Sequence, residues 1–161
     1  RRRVPEMTDL VLTLNGTPRI VPNGDNLTLI EALRLLDAAP PALCGEGACG
    51  SCLVLVGQQP VAACLTLAGL VGAAAVETVS GLADPVGQAV RKAFAETAAD
   101  RCPLCSAGMM VAATYALRIS AWITADEVRA ALLGQTCRCS GYDLQVGAVM
   151  KAAAALQERA T

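Results

Sequence analysis

The sequence predicts an α+β protein in two parts: a strand-rich half carrying one helix, then an all-helical half of four helices. Three features lead there. Short apolar runs separated by turn residues fill the first half, and apolar residues at helical spacing replace them after about residue 85. Eight cysteines divide four and four between the halves, with no histidine in 161 residues.

Leu10 to Leu14 is a short β run, Asn15-Gly16 is a hairpin turn signal, and Thr17 to Val21 is the return strand. Pro22 to Asn26 is a loop. Thr28-x-x-Glu31 forms a capping box for an amphipathic helix over Leu29 to Leu36, which Ala38, Pro40 and Pro41 end. Three glycines within Cys44 to Gly50 exclude helix and regular strand. Leu53 to Val56 and Pro60 to Cys64 read as a hairpin around Gly57-Gln58-Gln59, and Ala75 to Val79 as a last strand. Ser80 to Pro85 is the expected linker, which divides the chain into residues 7–82 and 83–161. Beyond it, helices are expected over Val86 to Ala99, over Gly108 to Leu117 capped by Ser106, after the Thr124-x-x-Glu127 capping box, and over Tyr142 to Leu156. Gly134 marks the exit of the third.

Aromatic residues make up only 2% of a chain that is 54% hydrophobic, so alanine, valine, leucine and glycine must fill the core. Small side chains bury little area each, and a metal centre would add the missing stability. A formal charge of −1 argues against nucleic-acid binding. The longest apolar stretch, Val61 to Val76, is too short to span a bilayer and is broken by Gly69 and Gly72. Arg1–Arg3 is expected to fray, and no apolar signal segment follows it. A cytoplasmic location is therefore expected, although partners could carry an export signal. Cysteines in that compartment point to metal ligation rather than disulfides. Met109, Met110, Trp122 and the tyrosines are expected to be packing residues, with Tyr142 as a cover for nearby cysteines.

Cys44, Cys49, Cys52 and Cys64 form a C-x4-C-x2-C-x11-C array, the plant-type [2Fe–2S] spacing. Three closely spaced thiolates embrace one edge of such a cluster and a distant one closes it. The amides of Gly45, Gly47 and Gly50 can approach and donate to sulfur. A zinc site is the alternative, but it favours two C-x2–4-C pairs over three cysteines on one glycine-rich loop. Cys102, Cys105, Cys137 and Cys139 are less explicit: Cys102-Pro103-Leu104-Cys105 also fits a redox pair or half a zinc site. Cys137-Arg138-Cys139 can serve one iron if the backbone turns sharply. Helix N-termini and Arg138 would favour a negative cluster there. A solvent-facing turn residue is the plainer role for Arg138.

Both motifs together resemble the small iron–sulfur subunit of the xanthine oxidase family of molybdenum hydroxylases. The resemblance runs from Leu10 to about Ala155. It rests on Leu14-Asn15-Gly16, the Cys44–Cys52 loop, Cys64, Cys102-x2-Cys105 and Cys137-Arg138-Cys139-Ser140-Gly141-Tyr142. It implies a plant-ferredoxin-like (β-grasp) domain and a four-helix domain, each with one [2Fe–2S] cluster. It also implies a large subunit with a molybdenum–pterin cofactor, and a FAD subunit or a haem-bearing cytochrome as acceptor. The Cys102–Cys139 cluster would sit nearer the pterin, with Cys139 against it, and the Cys44–Cys64 cluster nearer the exit. Where the family usually reads Gln-Cys-Gly-Phe/Tyr-Cys, this chain has Arg101-Cys102-Pro103-Leu104-Cys105. Arg101 replaces a pterin-contacting glutamine and could pair instead with a phosphate or carboxylate. No residue suggests substrate catalysis by this chain. A zinc-stabilised interaction module and a stand-alone ferredoxin or redox sensor are the other functions the cysteines allow.

Overall fold

The computed structural model describes residues 8–140 and 142–160. Arg1–Arg3, Met7 and Gly141 lie outside them. The N-terminal half is a five-stranded mixed sheet with one helix, α1, over Leu29–Leu35. Its strands are β1 (Leu10–Leu14), β2 (Thr17–Val21), β3 (Leu53–Val56), β4 (Gln59–Ala62) and β5 (Ala75–Glu77), in the order β2-β1-β5-β3-β4. Only β1 and β5 pair in parallel. Alternation in β1 sends Leu12 and Leu14 inward, where they meet Val54, Val76 and the α1 residues Leu29, Ala32 and Leu33. Thr28 starts α1 as expected: its N–H and hydroxyl donate to Glu31 Oε2 at 2.8 and 2.6 Å.

The second half is four helices: α2 (Pro85–Glu96), α3 (Pro103–Ile119), α4 (Ala125–Ala131) and α5 (Asp143–Ala160). Val90, Phe94, Met109, Leu117, Leu132 and Val149 lead their shared core. Leu55, Leu82 and Val111 form a third cluster that joins sheet to bundle. Arg118 on α3 ties the halves further, bonding Glu77 Oε2 at 2.7 Å and Asp84 Oδ1 at 2.8 Å.

Several boundaries differ from the sequence expectation. The linker Ser80–Pro85 is not free chain: a 3₁₀ turn spans Val79–Gly81, Leu82 is fully buried, and Asp84 caps α2 by accepting from Gly87 N–H at 3.2 Å. That turn also stops β5 at Glu77, before Val79. β4 begins at Gln59 because Gly57 and Gln58 both adopt positive φ, the backbone of a tight two-residue hairpin. α2 ends at Glu96, and Ala98 turns left-handed at φ 54°. α3 starts at Pro103, five residues before Gly108. Cys102, not Ser106, stands at its N-cap, and proline at the first helical position costs the helix no bond. α5 begins at Asp143, after Tyr142 at φ 74°, and runs past Leu156 to Ala160. Met109 is buried and Met110 half-buried as expected, but Trp122 is 75% exposed rather than packed.

Candidate metal centre

The loop from Cys44 to Gly50 is bent throughout, and Gly45, Gly47 and Gly50 all hold φ between 71° and 79°. At Gly50 the requirement is double. Besides the left-handed backbone, a Cβ there would collide with the Gly134 carbonyl oxygen of the bundle. Cys52 and Cys64 are buried at the end of this loop and just beyond β4, with Sγ atoms 3.4 Å apart. That is too long for a disulfide. It is near the ~3.7 Å expected for two thiolates on one tetrahedral first-row metal with bonds of about 2.3 Å. Cys44 and Cys49 are half-exposed on the same loop. The Cys44 Sγ accepts from Glu46 N–H at 3.5 Å, and the Cys49 Sγ lies 3.1 Å from the Ser51 hydroxyl. Burial opposes ionisation of Cys49, but bonds from Ser51 and Cys44 hold its pKa down at about 6. Burial pushes the Cys52 thiol up, against a lowering hydrogen bond from the Cys64 backbone, while the Cys64 thiol itself raises it.

All four cysteines of the second group line one cavity of about 120 Å3, together with Arg101 and Gln145. Helix α3 supplies Cys102 at its N-cap and Cys105 in its first turn, and the turn before α5 supplies Cys137 and Cys139. Burial, then Cys137 and Cys102, push Cys105 up to about 12. Burial also opposes ionisation of Cys137, yet bonds from Ser140 bring it to about 7. Cys139 is exposed. Arg101 and Arg138 are exposed too, and only Arg101 lines the cavity. Tyr142 is half-buried. Its hydroxyl donates to Gln135 O at 2.7 Å and accepts from Cys137 N–H at 3.3 Å, so it fastens the cysteine turn.

Sequence reasoning passed over three polar residues. Ser51 is buried, and its hydroxyl accepts from Leu43 N–H at 3.2 Å. Ser140 Oγ lies 3.5 Å from Cys137 Sγ and donates to the buried Gln145 Oε1 at 2.7 Å. The serines had a signal in Gly-Ser-Cys and Cys-Ser, where a hydroxyl neighbours a thiol. Gln145 had none.

The two groups touch through the backbone. Thr136, next to Cys137, donates its N–H to the carbonyl of Cys49 at 2.9 Å. A Cβ at Gly108 on α3 would strike the Gly50 carbonyl, so small residues set this close approach. Among the described residues, no three Cys, Asp or Glu side chains converge on a point as one metal ion requires. A binuclear cluster uses its thiolates in pairs, one pair on each iron, and the cysteine-only donor set, the glycine cradle and the shared cavity fit that group.

Two family models match the chain in the same order: a 2Fe-2S iron–sulfur cluster binding domain over residues 12–71 and a [2Fe-2S] binding domain over residues 78–150. The nicotine 6-hydroxylase small subunit of Paenarthrobacter nicotinovorans is 38% identical over 150 residues, covering 91% of this chain and 90% of that one. The chain belongs to the small iron–sulfur subunits of the xanthine oxidase family of molybdenum hydroxylases. Quinoline 2-oxidoreductase from Pseudomonas putida 86 has a matching chain with a TM-score of 0.81 and 33% identity, over 93% of this chain and 96% of that one. Xanthine dehydrogenase 1 of Arabidopsis thaliana is 32% identical over 85% of this chain, which spans only 11% of that longer protein. As a family member the chain is a [2Fe–2S] electron-transfer subunit of a multi-subunit oxidoreductase. Among the described residues, no helix is long and apolar enough to cross a membrane.

Proposed function

We propose that this chain relays single electrons from a large molybdenum–pterin subunit to a FAD subunit or a cytochrome, through two [2Fe–2S] clusters. Cys44, Cys49, Cys52 and Cys64 hold the first, and Cys102, Cys105, Cys137 and Cys139 the second. The clusters supply the one-electron chemistry. The chain's own residues bind them and space them. The chain divides near residue 82 into a cluster-bearing sheet domain and a cluster-bearing helical domain. The single observation that carries the proposal is the hydrogen bond from Thr136 N–H to Cys49 O, which brings a ligand peptide of one group against the neighbour of a ligand in the other.

The exposure of Cys139 supports its placement against the pterin, and Arg101 on the same cavity is positioned to pair with a cofactor phosphate or a carboxylate of the large subunit. Gly45, Gly47 and Gly50 direct amides to the exit cluster. Arg138 adds positive charge beside the pterin-side cluster. Ligation by eight cysteines suits a reducing cytoplasm, where cysteines stay out of disulfides until the clusters load. The experiment is native purification with metal analysis. Expected is a red-brown complex with a molybdenum-bearing large subunit and about four irons per copy of this chain. A lone colourless chain holding zinc would contradict the proposal, and a lone red-brown monomer would mark a stand-alone ferredoxin.

A further inference from the structure

Ser51 lies between Gly50 and Cys52 at the end of the cysteine loop and is 1% exposed. A hydroxyl buried that deeply must place its proton on an acceptor. Leu43 N–H donates to Ser51 Oγ at 3.2 Å, which uses the oxygen as an acceptor and leaves its proton to be placed. Cys49 Sγ lies 3.1 Å from the same oxygen. A protonated thiol could donate across that gap, but a thiolate that ligates iron carries no proton. With Cys49 as a ligand, Ser51 donates and Cys49 Sγ accepts. A hydrogen bond to an ionised acceptor is roughly twice as strong as one between neutral groups. It strengthens as negative charge on the sulfur grows, and one-electron reduction adds one negative charge to the cluster. The bond therefore favours the reduced state. Burial of Ser51 keeps its hydroxyl from turning to water instead.

We propose that the Ser51 hydroxyl sets the reduction potential of the cluster at Cys44, Cys49, Cys52 and Cys64, and with it the share of electrons that this cluster takes from its neighbour. The inference rests on the reading above that both cysteine groups hold [2Fe–2S] clusters. Ser51 is a positioning residue that acts through the Cys49 sulfur. No bond forms or breaks at it: one cluster gains the electron that the other loses, and Ser51 Oγ keeps its hydrogen. Its place in the fold suits the task. Cys49 is the ligand whose carbonyl accepts from Thr136 N–H at 2.9 Å, so the thiolate that Ser51 supports belongs to the residue in backbone contact with the second group. The bond from Leu43 alone would make Ser51 a staple across the cysteine loop, but a staple has no use for the proton.

Reductive titration of the natively purified complex, followed by EPR, reads both clusters, and the signal that Cys52→Ser alters belongs to the Cys44–Cys64 cluster. Ser51→Ala removes the hydroxyl. Ser51→Thr keeps it, and Ser51→Val has the shape of the threonine without it, so that pair isolates the bond at constant volume. Reduction of the Cys44–Cys64 cluster is expected to be about tenfold less favourable in Ser51→Ala than in the unaltered complex, and in Ser51→Val than in Ser51→Thr. For one electron that is ~59 mV to the negative. The Cys102–Cys139 cluster should keep its potential. A change below about threefold in the comparisons that retain both clusters overturns the inference, and so does an equal shift of both clusters. In D2O, electron–nuclear double resonance of the reduced cluster should show an exchangeable deuteron in the unaltered complex and in Ser51→Thr that is missing from Ser51→Ala and Ser51→Val. Identical spectra overturn the inference, as does loss of the cluster from every Ser51 variant, which would leave Ser51 a staple for Leu43. Absence of any [2Fe–2S] signal from the unaltered complex would remove the functional reading as well, whereas two signals indifferent to Ser51 remove this inference alone.

Discussion

Gly50 carries more constraint than any other glycine of the cysteine loop. It needs positive φ, and its missing side chain admits the Gly134 carbonyl from the bundle. Gly50→Ala forces either the loop or the 134–136 segment away, and with it the Thr136–Cys49 hydrogen bond. The expected loss is about 2–4 kcal/mol, read as a lower chemical-denaturation midpoint and slower electron exchange between the clusters. Unchanged exchange kinetics would show that this contact does not set the cluster spacing. Tyr142 offers a gentler probe. Tyr142→Phe keeps the ring but leaves Gln135 O and Cys137 N–H without the hydroxyl, costing about 1–2 kcal/mol. The EPR line of the cluster proposed at Cys102, Cys105, Cys137 and Cys139 should then broaden or shift while that of the other cluster stays. At the family's departure point, Arg101→Gln should alter turnover or the potential of the Cys102–Cys139 cluster, and no change in either would contradict a cofactor contact at that position.

Among the elements, α3 does the most joining. It is preceded by Cys102 at its N-cap, carries Gly108 against the Gly50 carbonyl, contributes Val111 to the junction core, and places Arg118 on Glu77 and Asp84 near its end. The bond to Arg118 is the main reason that the Asp84 carboxyl sits below its ordinary value, with burial opposing. The folded state therefore holds fewer protons at Asp84 than the unfolded chain. The stabilisation is complete above the unfolded value near 3.9 and fades as pH falls below it. Arg118→Met should lower stability by about 2 kcal/mol at pH 7, and the deficit should narrow towards pH 3 in urea melts. A pH-independent deficit would mean that Arg118 acts through packing alone. The capping boxes at Thr28 and Thr124 were readable from sequence because their chemistry is local. The start of α3 was not. Ser106 is a good cap by type, but proline at the first helical position and tertiary packing move the N-cap to Cys102, four residues before Ser106, which is buried inside the helix.

For the molecule as a whole, the sequence disclosed the α+β division and the grouping of cysteines, because spacing and periodicity are properties of a line of residues. It did not disclose how the halves meet. The supposed linker is packed chain: Leu82 lies in the junction core, Asp84 is held by Arg118, and Gly50, Gly108 and Gly134 lie in contact across the junction. Contacts between residues some 30 to 90 positions apart leave no periodic trace. Trp122 was misplaced for the same reason, since its exposure depends on a cavity assembled from distant segments. The central claim is that two iron–sulfur clusters stand close together in one relay. Low-temperature EPR of the natively purified, dithionite-reduced protein tests it most directly. Two distinct [2Fe–2S] signals with mutual magnetic splitting are predicted, and substitution of Cys52 by serine should abolish or transform only one. A single signal, two signals without magnetic interaction, or none from a zinc-loaded protein would contradict it.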